Sequence, residues 1–362
     1  MSAPRDLTIV VPCFNTERYL PESLASLERL SIESLEVLLV NDGSTDGSLE
    51  LLQACASRDA RFLVIDKPNE GYGATVNRGI DEATGTYVGI LEPDDFLYEG
   101  ALERLLEVAL STAADVVKGD FTFYWSRDGG VDVPAGIVTA DMVGHAVNTR
   151  EDPRIFRAKA SIWSGIYRRE FLDEVGIRCR PTPGASFQDT SFSFKVYASA
   201  RDVRFVDVPV IHYRQDNESS SINSKDKANA VCGEFDEIDQ WLTNRVGLTA
   251  ADAETLGLEA QIGRFNAYLW NLDRLSDQTA EAFLMDMSQW YAEQERLGSL
   301  SLDRWDSWRL VNLRAIMLDP ERYLMLRKRF RGDSAASKAR FALALGGPKA
   351  LASALSERAR RR

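Results

Sequence analysis

Three carboxylates fall within four residues in Leu91-Glu92-Pro93-Asp94-Asp95-Phe96, directly after the apolar run Tyr87-Val88-Gly89-Ile90. Like charges this close repel and need a cation or hydrogen-bond donors to offset them. Hard divalent cations take oxygen ligands and bridge carboxylates to phosphates, so the motif suits such an ion; a solvated acidic turn is the competing reading. Asp42, in Val40-Asn41-Asp42-Gly43-Ser44, is a second candidate. Its carboxylate can accept two hydrogen bonds from a ribose diol or a nucleobase edge, and equally can cap a turn. Pro12-Cys13-Phe14-Asn15 follows another apolar run and offers backbone groups and an aromatic face. Glycines in Asn69-Glu70-Gly71-Tyr72-Gly73-Ala74-Thr75-Val76-Asn77 permit close approach of a phosphate, or of the protein's own backbone, at a helix start. Asp189, between Phe187-Gln188 and Phe192, can act as a general base or as a helix cap. His212 can ligate a metal and Arg214 can bind phosphate, with an ordinary surface histidine as the alternative. The polar stretch 215–224 after them has the composition of a lid.

These residues stand at the ends of predicted strands and helices. Leu7-Thr8-Ile9-Val10-Val11, Val37-Leu38-Leu39-Val40, Phe62-Leu63-Val64-Ile65 and Tyr87 to Leu91 are continuous apolar runs, the pattern of parallel strands covered on both faces. Helical spacing lies between them, with Leu24, Leu27 and Leu30 after Pro21 as the first example. The alternation predicts an α/β doubly wound sheet with ligands at the carboxyl ends of its strands. From about 225 onward helical periodicity dominates. The expected organisation is an α/β domain over 1–224, a helical region over 225–333 and a basic tail over 334–362.

At 362 residues the chain is long enough for more than one domain, at roughly 150 residues per domain. With 44% hydrophobic and 27% charged residues it is of globular composition, not disordered or collagen-like. No run approaches the ~18 apolar residues of a spanning helix, and MSAPRDLTIVVP lacks the pattern of a secretory leader. Cys13, Cys55, Cys179 and Cys232 are scattered, which disfavours zinc or a disulfide framework and fits a reducing cytoplasm. The net charge is −12, yet the stretch from Arg327 carries +9, which leaves −21 before it. An acidic body disfavours nucleic acid, which is bound through its phosphates. A basic tail suggests an anionic partner such as a membrane surface, and an interfacial helix and a solvated tail are both open readings.

Taken together, TIVVPCFN (8–15), VNDGSTDGS (40–48), NEGYGATVNRGI (69–80), GILEPDDFL (89–97), SFQDTSF (186–192) and HYRQDNESSS (212–221) resemble family 2 glycosyltransferases of the GT-A fold, especially the bacterial capsule and cell-wall type. The resemblance spans about 1–225 in chain order. It implies inverting transfer of a sugar from a nucleotide-diphosphate sugar, UDP-linked by expectation, to a glycan or lipid-linked acceptor. By position it assigns Pro12, Phe14, Asn15, Asp42, Gly73, Asn77, Asp94 and Arg214 to the nucleotide sugar. It assigns Asp94, Asp95 and His212 to Mn²⁺ or Mg²⁺, and Asp189 to the catalytic base. Three positions depart from the family's usual residues: Glu92 replaces Asp, Val76 replaces an Arg frequent among relatives, and Gln188 replaces Glu. Trp125 and Trp163 are either sugar-stacking platforms or core. Two rival classes remain at this level. A sugar nucleotidyltransferase would release pyrophosphate, and a non-catalytic nucleotide-sugar or polysaccharide-binding relative would release nothing.

Overall fold

The computed structural model describes residues 5–185, 187–217, 228–332 and 334–360. Most of the expected lid, 218–224, lies outside the described residues. The chain divides into two units, one of 1–224 with 233–245 and one of 225–232 with 246–362.

The first unit is built on a ten-stranded sheet. Its opening elements are β1 (Arg5–Cys13), α1 (Leu20–Glu28), β2 (Leu35–Asp42), α2 (Ser48–Arg58), β3 (Phe62–Lys67), α3 (Tyr72–Glu82) and β4 (Gly85–Ile90). These apolar runs form the parallel series β3-β2-β1-β4, and β2 is buried along its whole length. In β2 the buried Glu36 is fully engaged: it accepts from the Thr8 hydroxyl at 2.6 Å and from Thr84 N and Oγ1 at 2.9 and 2.8 Å. Next come β5 (Phe96–Leu97), α4 (Ala101–Thr112), β6 (Val116–Trp125), β7 (Val131–Pro134), β8 (Ala146–Val147), β9 (Gly165–Arg168), α5 (Arg169–Val175), α6 (Gln188–Ser199) and β10 (Val203–Arg214). β9 runs antiparallel between β4 and β6. Beyond it β10 lies parallel to β6 and antiparallel to the short β5. The α/β reading of the sequence therefore holds, with one antiparallel strand joining two parallel blocks.

α7 (Ala228–Asn244) is shared between the units, and its residues from Gly233 group with the sheet. There Ser191 donates to Glu234 at 2.5 Å and Lys195 to Glu237 at 3.0 Å. The second unit contains α8 (Ala250–Leu272), α9 (Asp277–Arg296), α10 (Ser307–Leu318), α11 (Pro320–Arg329) and α12 (Ala335–Arg360). Thr249, Ser276, Asp306 and Asp319 cap four of these helices by accepting from backbone N–H groups. The basic segment after 334 is not a detached extension. Phe341 meets Trp308 and Tyr323 edge-on at 6.2 and 5.8 Å, and Ala342 and Ala350 are buried. Among the described residues no helix is long and apolar enough to cross a membrane.

One buried group fixes the region between β6 and β9. Lys118 is buried in β6, and its ammonium donates to the carbonyl and hydroxyl of Ser161, the latter at 2.8 Å. Burial pushes its pKa down to about 7 from 10.5. Between those values the unfolded chain binds the extra proton, so this group makes the fold more stable as pH rises. Wild type should therefore lose about 1.4 kcal/mol per pH unit, from roughly pH 9 down to 7, that Lys118→Met does not lose. Urea unfolding across pH measures this, and a pH-independent difference between the two proteins would refute it.

Candidate active site

The parallel register sets Pro12 beside Val40 and Cys13 beside Asn41, so the loops after β1 and β2 leave one edge of the sheet together. Side chains lace them. Asn15 accepts from Thr45 N at 2.8 Å, Asn15 N donates to Ser44 Oγ at 3.1 Å, and Glu17 accepts from Gly47 N at 2.6 Å. Asn15 takes the left-handed conformation (φ 53°), which asparagine tolerates. Pro12 is buried, and Phe14 at 47% exposure presents its ring outward. Asp42, also buried, accepts from the Lys67 ammonium and from the backbone N–H groups of Glu70 at 2.9 Å and Gly71 at 3.0 Å. Its carboxylate therefore shapes the 67–71 loop as well as standing at the edge.

That loop opens α3, whose start is covered by the protein's own chain. A Cβ on Gly71 (φ 90°) would stand 2.6 Å from the Thr182 carbonyl, and one on Gly73 would overlap the Arg180 carbonyl. Tyr72 N donates to the Gly184 carbonyl at 3.1 Å. The Asn77 amide pairs with both backbone groups of Cys179, each at 2.8 Å. Glycine is thus needed at 71 and 73 because segment 179–184 lies against the helix. The segment that leads to Asp189 engages the Asn77 amide and fills the space beside Gly73.

Phe187, in the left-handed region at φ 62°, turns the chain into α6 and sets Asp189 in its first turn. A non-glycine residue there is strained, and surrounding structure must hold it. Asp189 lies within electrostatic range of Glu92, and Glu92 of Asp94 and Asp95. Burial raises the pKa of all four carboxyls, with repulsion from Asp94 and Asp189 adding to it at Glu92. Glu92 rises to about 8 although the Tyr72 hydroxyl, which donates to it, pulls the other way. At Asp189 the Lys159 ammonium opposes the rise. Tyr213 feels the field of all four acids, and Lys159 stands over its ring at 5.1 Å.

The acid loop is pinned from β10. Asp95 accepts from Arg214 N at 2.8 Å, and Arg214 Nε donates to the Asp94 carbonyl at 2.8 Å. The rest of the guanidinium donates to Ser126 and Glu22 and lies 5.0 Å from the Tyr19 ring. Arg214, expected on the donor, is thus buried as a clamp on the acid loop. Asn217 donates to Asp94 at 2.7 Å.

His212 does not join Asp94 and Asp95. Its Nδ1 bonds Asp132 at 2.9 Å, and its ring stacks on Phe96 at 4.2 Å and on Tyr98 at 3.6 Å. Tyr213, the next residue of β10, lies on the strand's other face and within electrostatic range of the acids. Among the described residues no group of three His, Cys, Asp or Glu is arranged to hold a metal ion. Asp94 and Asp95 still fit a hard cation, because Asp95 Oδ2 is buried without a hydrogen-bond partner. Magnesium-type sites commonly use one or two carboxylates and complete the shell with substrate phosphates and water.

Trp163 stacks on Tyr213 at 4.7 Å, and at 5% exposure it is a core residue. Trp125 is half-buried under Arg127. Lys67 and Lys159 carry no local sequence signal, and Tyr72 and Tyr213 stand inside the motifs at 69–80 and 212–221 without one that assigns them a role.

Gly73→Ala should cost about 1–3 kcal/mol in urea unfolding, the scale of overpacking at a fixed contact. Wild-type stability in that variant would show that segment 179–184 does not press on α3.

Residues 8–172 match the family described as glycosyl transferase family 2. The uncharacterized glycosyltransferase EpsJ of Bacillus subtilis is 29% identical over 215 residues, 59% of this chain and 62% of that protein. Glycosyltransferase GlyG of Streptococcus pneumoniae is 29% identical over 216 residues, 58% of this chain and 70% of that protein. The matches to EpsJ and to EpsH of the same organism span about three-fifths of those proteins' lengths. The S. aureus TarS 1–349 structure in complex with UDP-GlcNAc superposes with a TM-score of 0.59 at 20% identity, over 92% of this chain and 95% of that one. A mannosyltransferase of Pyrobaculum calidifontis, solved with GDP-Man and Mn²⁺, gives a TM-score of 0.50 at 15% identity, over 88% and 89%. The structural likenesses show the GT-A fold, and over residues 8–172 the chain is similar in sequence to glycosyl transferase family 2.

Proposed function

We propose that the protein transfers a sugar, with inversion, from a nucleotide-diphosphate sugar to a hydroxyl of a glycan or lipid-linked saccharide. The observation that carries this reading is the convergence of Asp189 with the Glu92-Asp94-Asp95 group, although some 95 residues separate them in sequence. The family match and the UDP-GlcNAc bound to the TarS neighbour support a UDP-sugar donor. Pro12, Phe14, Asn15 and Asp42 line the edge that takes the nucleoside. Gly73, Asn77 and Arg214 act indirectly, by fixing the segments that carry Asp189 and the acid loop.

Asp189 takes the proton of the acceptor hydroxyl as that oxygen attacks the anomeric carbon. The bond from that carbon to the donor phosphate breaks on the opposite face, and nucleoside diphosphate leaves with the electron pair. One base and no protein nucleophile give a single displacement. Asp94 and Asp95 would hold Mn²⁺ or Mg²⁺, which when bound offsets the charge growing on the diphosphate. Lys159 favours the ionised form of Asp189 in a cleft where burial opposes it. The acceptor, like a site of action at the inner face of the cell membrane, belongs to this proposal.

Asp189→Asn should bind donor as wild type does and lose transfer by ~10²-fold or more. Near-wild-type transfer would refute the base. Asp94→Ala should flatten the Mn²⁺ dependence of donor affinity in calorimetric titration, and an unchanged metal titration would count against its role. Lys159→Gln should move the acidic limb of kcat/KM to higher pH, because an ammonium that lowers the Asp189 pKa is gone. Lys159→Arg should restore the limb, and an unmoved limb in Lys159→Gln removes Lys159 from the mechanism.

A further inference from the structure

The helical unit carries a groove of about 480 Å³ between α10, α11 and α12. Val311, Leu318, Leu326 and Leu345 line it, together with Arg322 and Asp319. α12 breaks beside it at Gly346-Gly347, where Pro348 cannot supply a backbone N–H. Leu318, which lines it, is 83% exposed, and Met325 on α11 is 54% exposed. Arg322, Met325 and Arg329 recur at helical spacing on one exposed face of α11. Arg322 donates to the Ala344 carbonyl of α12 at 3.2 Å, a neutral partner that leaves its charge uncompensated there. Arg340 and Lys349 of α12 are also exposed. Asp319 is engaged as the cap of α11, accepting from Arg322 N at 2.9 Å. Arg327 and Lys328 are paired with Asp273 and Asp277, so their charge is met within the unit. By sequence, residues 246–362 hold 18 Lys+Arg and 15 Asp+Glu, a balance of +3, against −15 for residues 1–245.

We infer that this α10–α11–α12 face docks on an anionic phospholipid bilayer. Leu318 and Met325 enter the headgroup boundary, and Arg322 and Arg329 meet lipid phosphates. Long basic side chains interleaved with Leu and Met are the composition of an interfacial surface, and the exposed Arg322 and Arg329 are complementary to an anionic leaflet. Aromatic anchors typical of protein hot spots are absent from these exposed positions. The surface is therefore a folded three-helix face, not a free tail, and removing 334–362 would strip Phe341 from Trp308 and Tyr323. The inference does not rest on the transfer chemistry.

The test is flotation of the full chain with vesicles of phosphatidylcholine alone and of equal parts phosphatidylcholine and phosphatidylglycerol. Wild type should float only with the anionic vesicles and be released by molar salt. Leu318→Asp with Met325→Asp should weaken binding at least tenfold, and so should Arg322→Glu with Arg329→Glu, which leaves the apolar rim intact. All four positions are exposed, so both variants should keep the wild-type thermal transition. Absence of wild-type flotation overturns the inference, as does equal flotation by both variants. A concentration-dependent dimer that both variants abolish, without flotation, identifies a second copy as the occupant and overturns it too.

Discussion

Carboxyl groups crowded at the end of a buried strand repel one another and lose their water, and the rest of this fold is arranged around that constraint. Glu92, Asp94, Asp95 and Asp189 each have a raised pKa because burial disfavours their charge. Donors offset only part of this: the Tyr72 hydroxyl on Glu92, the Asn217 amide on Asp94 and the Arg214 N–H on Asp95. One buried oxygen of Asp95 is left without a donor. A cluster so incompletely satisfied stores electrostatic tension.

The cluster persists because its backbone is held from outside. Arg214 grips the acid loop through the Asp94 carbonyl while its guanidinium lies among Tyr19, Phe96 and Tyr124. On the other flank, α3 is paired through Asn77 with Cys179 and pressed through Gly71 and Gly73 against residues 180–184. This contact fixes the approach to Phe187, whose left-handed backbone aims Asp189. Lys118 does the same for the segment carrying Lys159 by holding Ser161. The site thus rests on three separate internal clamps, each made by a residue whose type alone suggests a ligand contact or a surface position.

The helical unit is ordered by different means. Its helices begin at side-chain caps, and its interior includes the buried Arg264, which lies 4.0 Å over the Trp290 ring. Its basic end is compatible with folding because several cations find acids within the unit, as Arg327 does with Asp273.

The amino-acid sequence by itself determined the α/β class, the places of the first four parallel strands along the chain and the acid motif at the end of the fourth. Those are local properties: apolar runs of strand length, turn residues and like charges in succession. It also singled out Asp189, whose partners it could not show. Tertiary structure alone decided that Asn77, Gly73 and Arg214 face the protein's own backbone, since a glycine or amide reads the same whether a ligand or a distant segment covers it. Only the fold showed that His212 turns toward Asp132 and that Tyr213 and Lys159 stand by the acids, because side-chain direction in β10 depends on its register with β6 and β5. The antiparallel insertion of β9 was equally hidden, for pairing direction is a relation between distant strands and leaves no mark on either one.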